Sequence, residues 1–215
     1  MATTRVQPTT AEARSIAGVS LEGVVCLLSA AVTAGCFFVL GIGSGAGTGA
    51  EVTKRLTDNA ARYQLASILA IFAAVGLALA AVRLGRRIGG QAGSVATVAG
   101  ATVAFLCAAY YSAYAAGSNV ASFVIDEPGA GVGEATLVLL NGFDLARYAP
   151  GLLLVVAVLA ARRRLPRSVT VSAWVLLVVM FVPMTTWISA LLIPVWLGVT
   201  AVLVPSSTVA AETDG

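Results

Sequence analysis

The sequence predicts an all-α fold: a polytopic transmembrane helical bundle of six spans with both termini in the cytoplasm. Three observations predict it. Of the 215 residues, 59% are hydrophobic and only 11% charged, with a mean hydropathy of +0.94. Soluble domains are about 25% charged, and a soluble fold of this length has too much surface relative to volume to hide so many apolar groups. Apolar stretches of about 20 residues, long enough to cross the hydrocarbon layer as helices, recur along the chain. Lys and Arg fall in the short segments between these stretches, with a strong bias to alternate segments.

Residues 1–16 read as a polar cytoplasmic tail carrying Arg5 and Arg14, 17–204 as the transmembrane domain, and 205–215 as a polar C-terminal tail. The first span is expected over 17–43, with one charge, Glu22, near its start. Val32–Cys36 resembles a lipoprotein cleavage box, but Phe37, Phe38, Val39 and Leu40 continue the apolar run where a lipoprotein turns polar, so the helix is expected to remain uncleaved. The glycine-rich run 41–49 reads as a hinge. No Gly-Lys-Ser/Thr follows, so it is not a phosphate loop. Thr48 and Glu51 have capping-box spacing for a short helix over about 50–63. Val52, Leu56 and Tyr63 lie near one stripe of that helix, which suits a helix lying on the bilayer surface.

The second span is expected over 64–84, with Ala66, Ala70, Ala74 and Ala78 at four-residue spacing. Such small residues let helices approach closely in lipid. The third is expected over 94–117, with Ala96, Gly100 and Ala104 as its small stripe and Tyr110, Tyr111 and Tyr114 at its far end. A loop over 118–135 holds Asp126, Glu127 and Glu134 but no Lys or Arg. The fourth span, 136–161, contains Asn141, Asp144, Arg147 and Pro150. Residues 169–204 carry no charge. As one helix this stretch would run about 54 Å, nearly two hydrocarbon thicknesses. It therefore reads as two spans, 169–185 and 187–204, turning near Pro183–Trp187.

Counting Lys and Arg gives nine on the N-terminal side (Arg5, Arg14, Arg83, Arg86, Arg87, Arg162, Arg163, Arg164, Arg167) and three opposite (Lys54, Arg55, Arg62). The positive-inside rule then puts both termini in the cytoplasm. The same rule accounts for the net charge of +3, and no soluble basic face exists to bind nucleic acid. Twelve arginines against one lysine suggest a GC-rich bacterial source, and hence a multi-pass protein of a bacterial inner membrane.

The stretch GAEVTKRLTDNAARYQLASILAIFAAVGLALAAVRLGRR, residues 49–87, leads from an amphipathic outer segment into an alanine-rich span ending in arginines. A charge-free final hairpin contains LLIPVWLGV, residues 191–199. This layout resembles a family of small six-span bacterial integral membrane proteins with no assigned activity. The resemblance implies a six-helix bundle and brings no function with it. The loop at 118–135 and the pair Asp144/Arg147 depart from that pattern.

The chain has no histidine. This excludes histidine-ligated haem and zinc and any Ser-His-Asp or Cys-His catalysis. Cys26, Cys36 and Cys107 lie in apolar runs without CxxC spacing and read as small hydrophobes. The carboxylates Glu51, Asp58, Asp126, Glu127 and Glu134 match no calcium loop. No catalytic residue, cofactor or metal site is expected.

Ionisable groups within hydrocarbon cost roughly 2.5–3.5 kcal/mol each on insertion scales and persist where they face a partner or cavity. Asp144 and Arg147 share a helix face and can pair. Asn141, Asp144 and Tyr148 fall on one stripe, and Pro150 leaves the Ala146 carbonyl without its amide. They form either a polar ligand pocket in the outer half of span four or a structural ion pair. Glu22 is expected to serve as a proton- or cation-linked carboxylate or to pair with Arg14 or Arg83. Tyr110 and Tyr114, with Tyr111 and Ser118, line an outward cavity or form an interfacial aromatic belt. The expected function is that of an accessory or structural membrane subunit rather than an enzyme. Its partners are the lipid bilayer and a membrane protein or a second copy. The alternative is a small-molecule or lipid-binding protein or transporter using the span-four pocket.

Overall fold

The computed structural model describes residues 15–16, 19–38, 47–125, 128–182 and 186–204. The chain is all-α apart from a two-residue antiparallel pairing of Ser15–Ile16 with Val19–Ser20. Its helices are α1 (Leu21–Phe38), α2 (Gly49–Asp58), α3 (Ala60–Ile88), α4 (Gly90–Asn119), α5 (Ala130–Ala160), α6 (Arg167–Met180) and α7 (Thr186–Leu203). A π-helical turn, Val120–Val124, extends α4, and a 3-10 turn, Arg162–Arg164, follows α5. The tail to residue 14, the hinge at 41–46, Asp126, Glu127, residues 183–185 and the tail from 205 lie outside the described residues.

Among the described residues, four helices are long and apolar enough to cross a membrane: Leu21–Phe38, Ala60–Ile88, Gly90–Val124 and Ala130–Ala160. The charge-free closing segment does break in two, as its length requires. However, α6 has only 14 residues, about 21 Å at 1.5 Å each, less than the hydrocarbon thickness.

Alanines line much of the interior, and many large apolar side chains cover the outside. Phe72, Phe105, Val138 and Leu145 are each more than two-thirds exposed, while Ala66, Ala80, Ala81 and Ala96 are fully buried. Water would drive the large groups inward, whereas lipid does not, and helices in lipid gain by close backbone packing. This is the arrangement of a membrane protein.

The central pair is α3 and α4, antiparallel and joined at Gly89 and Gly90. Both glycines have positive φ, 69° and 58°, which allows the chain to reverse within two residues. The buried stripe of α3 differs from the four-residue alanine repeat. It runs Ala66, Ala70, Ala73, Leu77, Ala80, Leu84, and Ala74 and Ala78 lie only half-buried beside it. Steps alternating four and three average 3.5 residues, so the stripe stays on one partner along the whole helix, where steps of four would drift around it. On α4 the matching line is Ala96, Gly100, Val103, Cys107, Tyr110, Tyr114. A Cβ on Gly100 would come within 2.7 Å of the Ala81 Cβ, and one on Gly85 within 2.5 Å of the Gly93 carbonyl oxygen.

The segment expected to lie on the bilayer as one helix over 50–63 is not one helix. It breaks at Asn59, and α2 packs against the last turn of α4 and the first turn of α5. Its apolar face meets protein: Leu56 and Val52 are buried. Ser118 Oγ donates to the Leu56 carbonyl at 2.8 Å, and the Gly133 amide donates to Thr53 Oγ1 at 2.9 Å. The predicted capping box is formed. The Thr48 amide donates to Glu51 Oε2 at 2.8 Å and the Glu51 amide to Thr48 Oγ1 at 3.4 Å. Bonds from the Thr48 amide and then its hydroxyl hold the Glu51 carboxyl below its ordinary range.

Candidate functional site

Asp144 and Arg147 sit one turn apart on α5 and form an ion pair. Asp144 lies 14 residues past the start of α5 at Ala130, about 21 Å along it, and 16 before its end at Ala160. The pair is thus near the middle of α5. The loop's apparent end near 135 puts the start of span four at 136. In the structure α5 begins six residues earlier than its apolar run, at Ala130.

Arg147 points into the bundle and is only 5% exposed. Its guanidinium lies over the Tyr110 ring, 4.5 Å from the centroid, and Nη1 donates to Cys107 Sγ at 3.6 Å. A cation over an electron-rich ring face is attracted by it, most strongly where water is excluded. The guanidinium Nε is buried without a hydrogen-bond partner. Asp144 is less enclosed, its side chain 29% exposed. Tyr148 turns toward α6, where its hydroxyl donates to the carbonyl of Met180, the last residue of that helix. This satisfies one of the carbonyls a helix end leaves unpaired.

The tyrosines form neither an interfacial belt nor the lining of an outward cavity. Tyr110, Tyr111 and Tyr114 are all buried. Tyr110 meets Tyr111 and Tyr114 edge-on, each at 5.5 Å between centroids, and Tyr63 of α3 stacks on Tyr114 at 5.1 Å. They build a rigid aromatic core between α3, α4 and α5, with Arg147 at its inner end. Asn141 does not join the cluster. It is exposed on the outer face of α5, beside exposed Gly142, Leu145, Ala146 and Ala149. A groove of about 350 Å³ opens between α4 and α5 on another side of α5, lined by Ala113, Gly117, Val120, Val132, Ala135 and Leu139. Its lining is apolar, so it suits hydrocarbon or an apolar side chain better than a polar solute.

No family model, curated protein or solved structure matches the chain. Function must follow from the residues themselves.

A second polar cluster closes the arginine-rich end. Arg83 Nη1 donates to Glu22 Oε2 at 2.9 Å and to Ser20 Oγ at 2.8 Å, and its Nε donates to the Ala201 carbonyl at 3.1 Å. Arg87 Nη1 donates to the same carbonyl at 2.9 Å. The residue four beyond Ala201 is Pro205, which has no amide hydrogen, so the helix leaves this carbonyl unpaired. Two guanidiniums satisfy it and complement the negative end of the α7 dipole. Glu22, 78% exposed, is therefore part of a clasp joining α1, α3 and α7. Of the two roles expected for it, pairing with Arg83 is the one its geometry serves.

Cys107, Tyr63 and Ala201 were not among the expected site residues. Cys107 and Tyr114 flank Tyr110 at helical spacing and were within reach of sequence reasoning. The meeting of Tyr63 with Tyr114, and of Ala201 with two arginines, depends on helix pairing that no single segment records.

Proposed function

We propose that this chain is an accessory membrane subunit that docks its α5 face against a transmembrane helix of a partner protein. One observation carries the reading. Asn141 is exposed 11 residues into α5, about 16 Å from the helix start, on a stripe with exposed Val138 and Leu145 and flanked on one side by the small residues Gly142 and Ala149. A side-chain amide facing hydrocarbon is costly without a partner. Small neighbours allow a second helix close enough to hydrogen-bond it.

The test is site-specific crosslinking in native membranes, with a photo-reactive residue in place of Leu145. A single protein crosslinked at high yield, and lost when Asn141→Leu is added, is the expected outcome. A product equal to the chain's own dimer would make the partner a second copy. Crosslinks to lipid alone, unchanged by Asn141→Leu, would sink the docking reading.

The unpartnered Nε of Arg147 favours a second reading, a polar ligand or transported solute bound at Asp144/Arg147. In that case Asp144→Asn abolishes ligand-dependent thermal stabilisation while the fold survives.

The proposed topology has six spans in a bacterial inner membrane, with the arginine-rich end and both termini in the cytoplasm. A cysteine at Ala130, exposed at the start of α5, should then react with an impermeant maleimide added to intact cells. Reaction only after lysis would reverse the orientation.

A further inference from the structure

Arg162, Arg163 and Arg164 make up the 3-10 turn after α5, and Arg167 opens α6. All four are exposed. No ion pair with a carboxylate is formed by any of them among the described residues. Arg83 and Arg87 at the same end are engaged with Ala201. The four guanidiniums lie within six residues, so their mutual repulsion calls for an anion.

The turn is also held in place. Ala161 before it and Val169 after it are buried in the main apolar cluster, with Leu165 packed against the same cluster. That cluster also contains Ile88 and Val204, so the ends of α3, α5 and α7 and the start of α6 converge there. The arginines cannot swing away into water as a free tail would. They ring the end of an apolar core, which on the proposed six-span topology lies where hydrocarbon gives way to headgroups. On that topology α6, only about 21 Å long, requires the bilayer to thin there or the arginines to reach outward along their stems. Either response brings lipid phosphates to the guanidiniums.

We propose that Arg162, Arg163, Arg164 and Arg167 form a binding site for an anionic phospholipid headgroup. The chemistry is that of phosphodiester oxygens held by the planar guanidinium fork, which takes two of them at once. Apolar Leu165 within the loop and the exposed Val171 and Trp174 of α6 offer a path for the acyl chains. The site is independent of the docking face on α5, since it uses another element and another ligand.

The experiment uses the full chain in nanodiscs of phosphatidylcholine alone or with one-fifth phosphatidylglycerol or cardiolipin, at fixed ionic strength. Lipids retained after transfer to detergent are quantified by native mass spectrometry. The wild type should retain anionic lipid over phosphatidylcholine by at least about tenfold, in line with the attraction of each surface arginine to anionic lipid. The change of all four arginines to glutamine should abolish that preference, and Lys54→Gln with Arg62→Gln at the opposite end should leave it intact. Should the quadruple change prevent folding, the four-fold Arg→Lys variant takes its place, with a reduced preference expected because the bidentate fork is lost. Equal retention of neutral and anionic lipid by the wild type would overturn the proposal. So would a preference unchanged in the quadruple variant or in its lysine substitute, or displacement of the lipid by millimolar inorganic phosphate, which would mark a site for free anions.

Discussion

Asp144→Asn should destabilise the protein by about 3–5 kcal/mol, the cost of leaving one member of a buried ion pair without the other. Arg147 is 5% exposed, and without Asp144 it keeps only the Tyr110 ring and the weak Cys107 acceptor. Neither carries a compensating charge. Arg147→Gln should cost less, because Asp144 is the less enclosed partner. The double change Asp144→Asn with Arg147→Gln removes both charges and should recover most of the loss, since a neutral pair needs no ionic partner. Thermal melts of purified protein in detergent, followed by intrinsic fluorescence, measure all three. Near-neutral single variants would show that the pair does not anchor α5 in the bundle. A double variant no better than the worse single would show that another group depends on one of the charges.

The same three variants, carried into the crosslinking and ligand-binding assays, separate the two functional readings. A structural pair predicts recovery of both stability and partner docking in the double variant. A ligand site predicts recovery of stability with loss of binding, because the charges themselves recognise the ligand.

The membrane class and the break in the closing segment were legible because they rest on local quantities: run length and charge. The pairing of Asp144 with Arg147 was legible because three residues of helix bring them together whatever surrounds them. The start of their helix was placed too late because apolar runs mark lipid contact, not helix ends. Ala130–Ala135 reads as loop by composition, yet its backbone is the first part of α5, held by the Thr53–Gly133 bond and by α2 packed against it. Likewise α2 reads as a surface helix because its sequence records an apolar face but not whether protein or lipid covers it. The tyrosines were misplaced for a related reason. An aromatic near a helix end suits an interface, and only the partner helices decide that Tyr110, Tyr111 and Tyr114 are enclosed. The α3 stripe shows the reverse case: its seven-residue repeat was in the sequence, but the alanines alone suggested a four-residue one. Leu77 and Leu84 complete the pattern.

Close approach of α3 and α4 yields the second large effect. Gly93→Ala adds one methyl group, yet its Cβ would lie closer to the Gly85 carbonyl oxygen than real Cβ contacts come. The obstacle is backbone, which cannot rotate aside, so the helices must separate where Gly89 and Gly90 hold them in a two-residue turn. Overpacking of this kind costs about 1–3 kcal/mol, which outweighs the gain of up to about 1 kcal/mol from replacing a helical glycine with alanine. Gly142→Ala on α5 is the matched control, since nothing lies within 4 Å of a Cβ there. It should leave the melting temperature of the isolated protein unchanged or slightly raised. On the proposed docking face, however, the same methyl group would hold a partner helix away from Asn141. The expected pattern is therefore crossed: Gly93→Ala lowers the melting temperature and leaves crosslinking from position 145 intact in whatever protein folds. Gly142→Ala preserves the melting temperature and weakens the crosslink. If Gly142→Ala left the crosslink at full yield, the α5 face would be a lipid surface and its small residues would have no partner to admit.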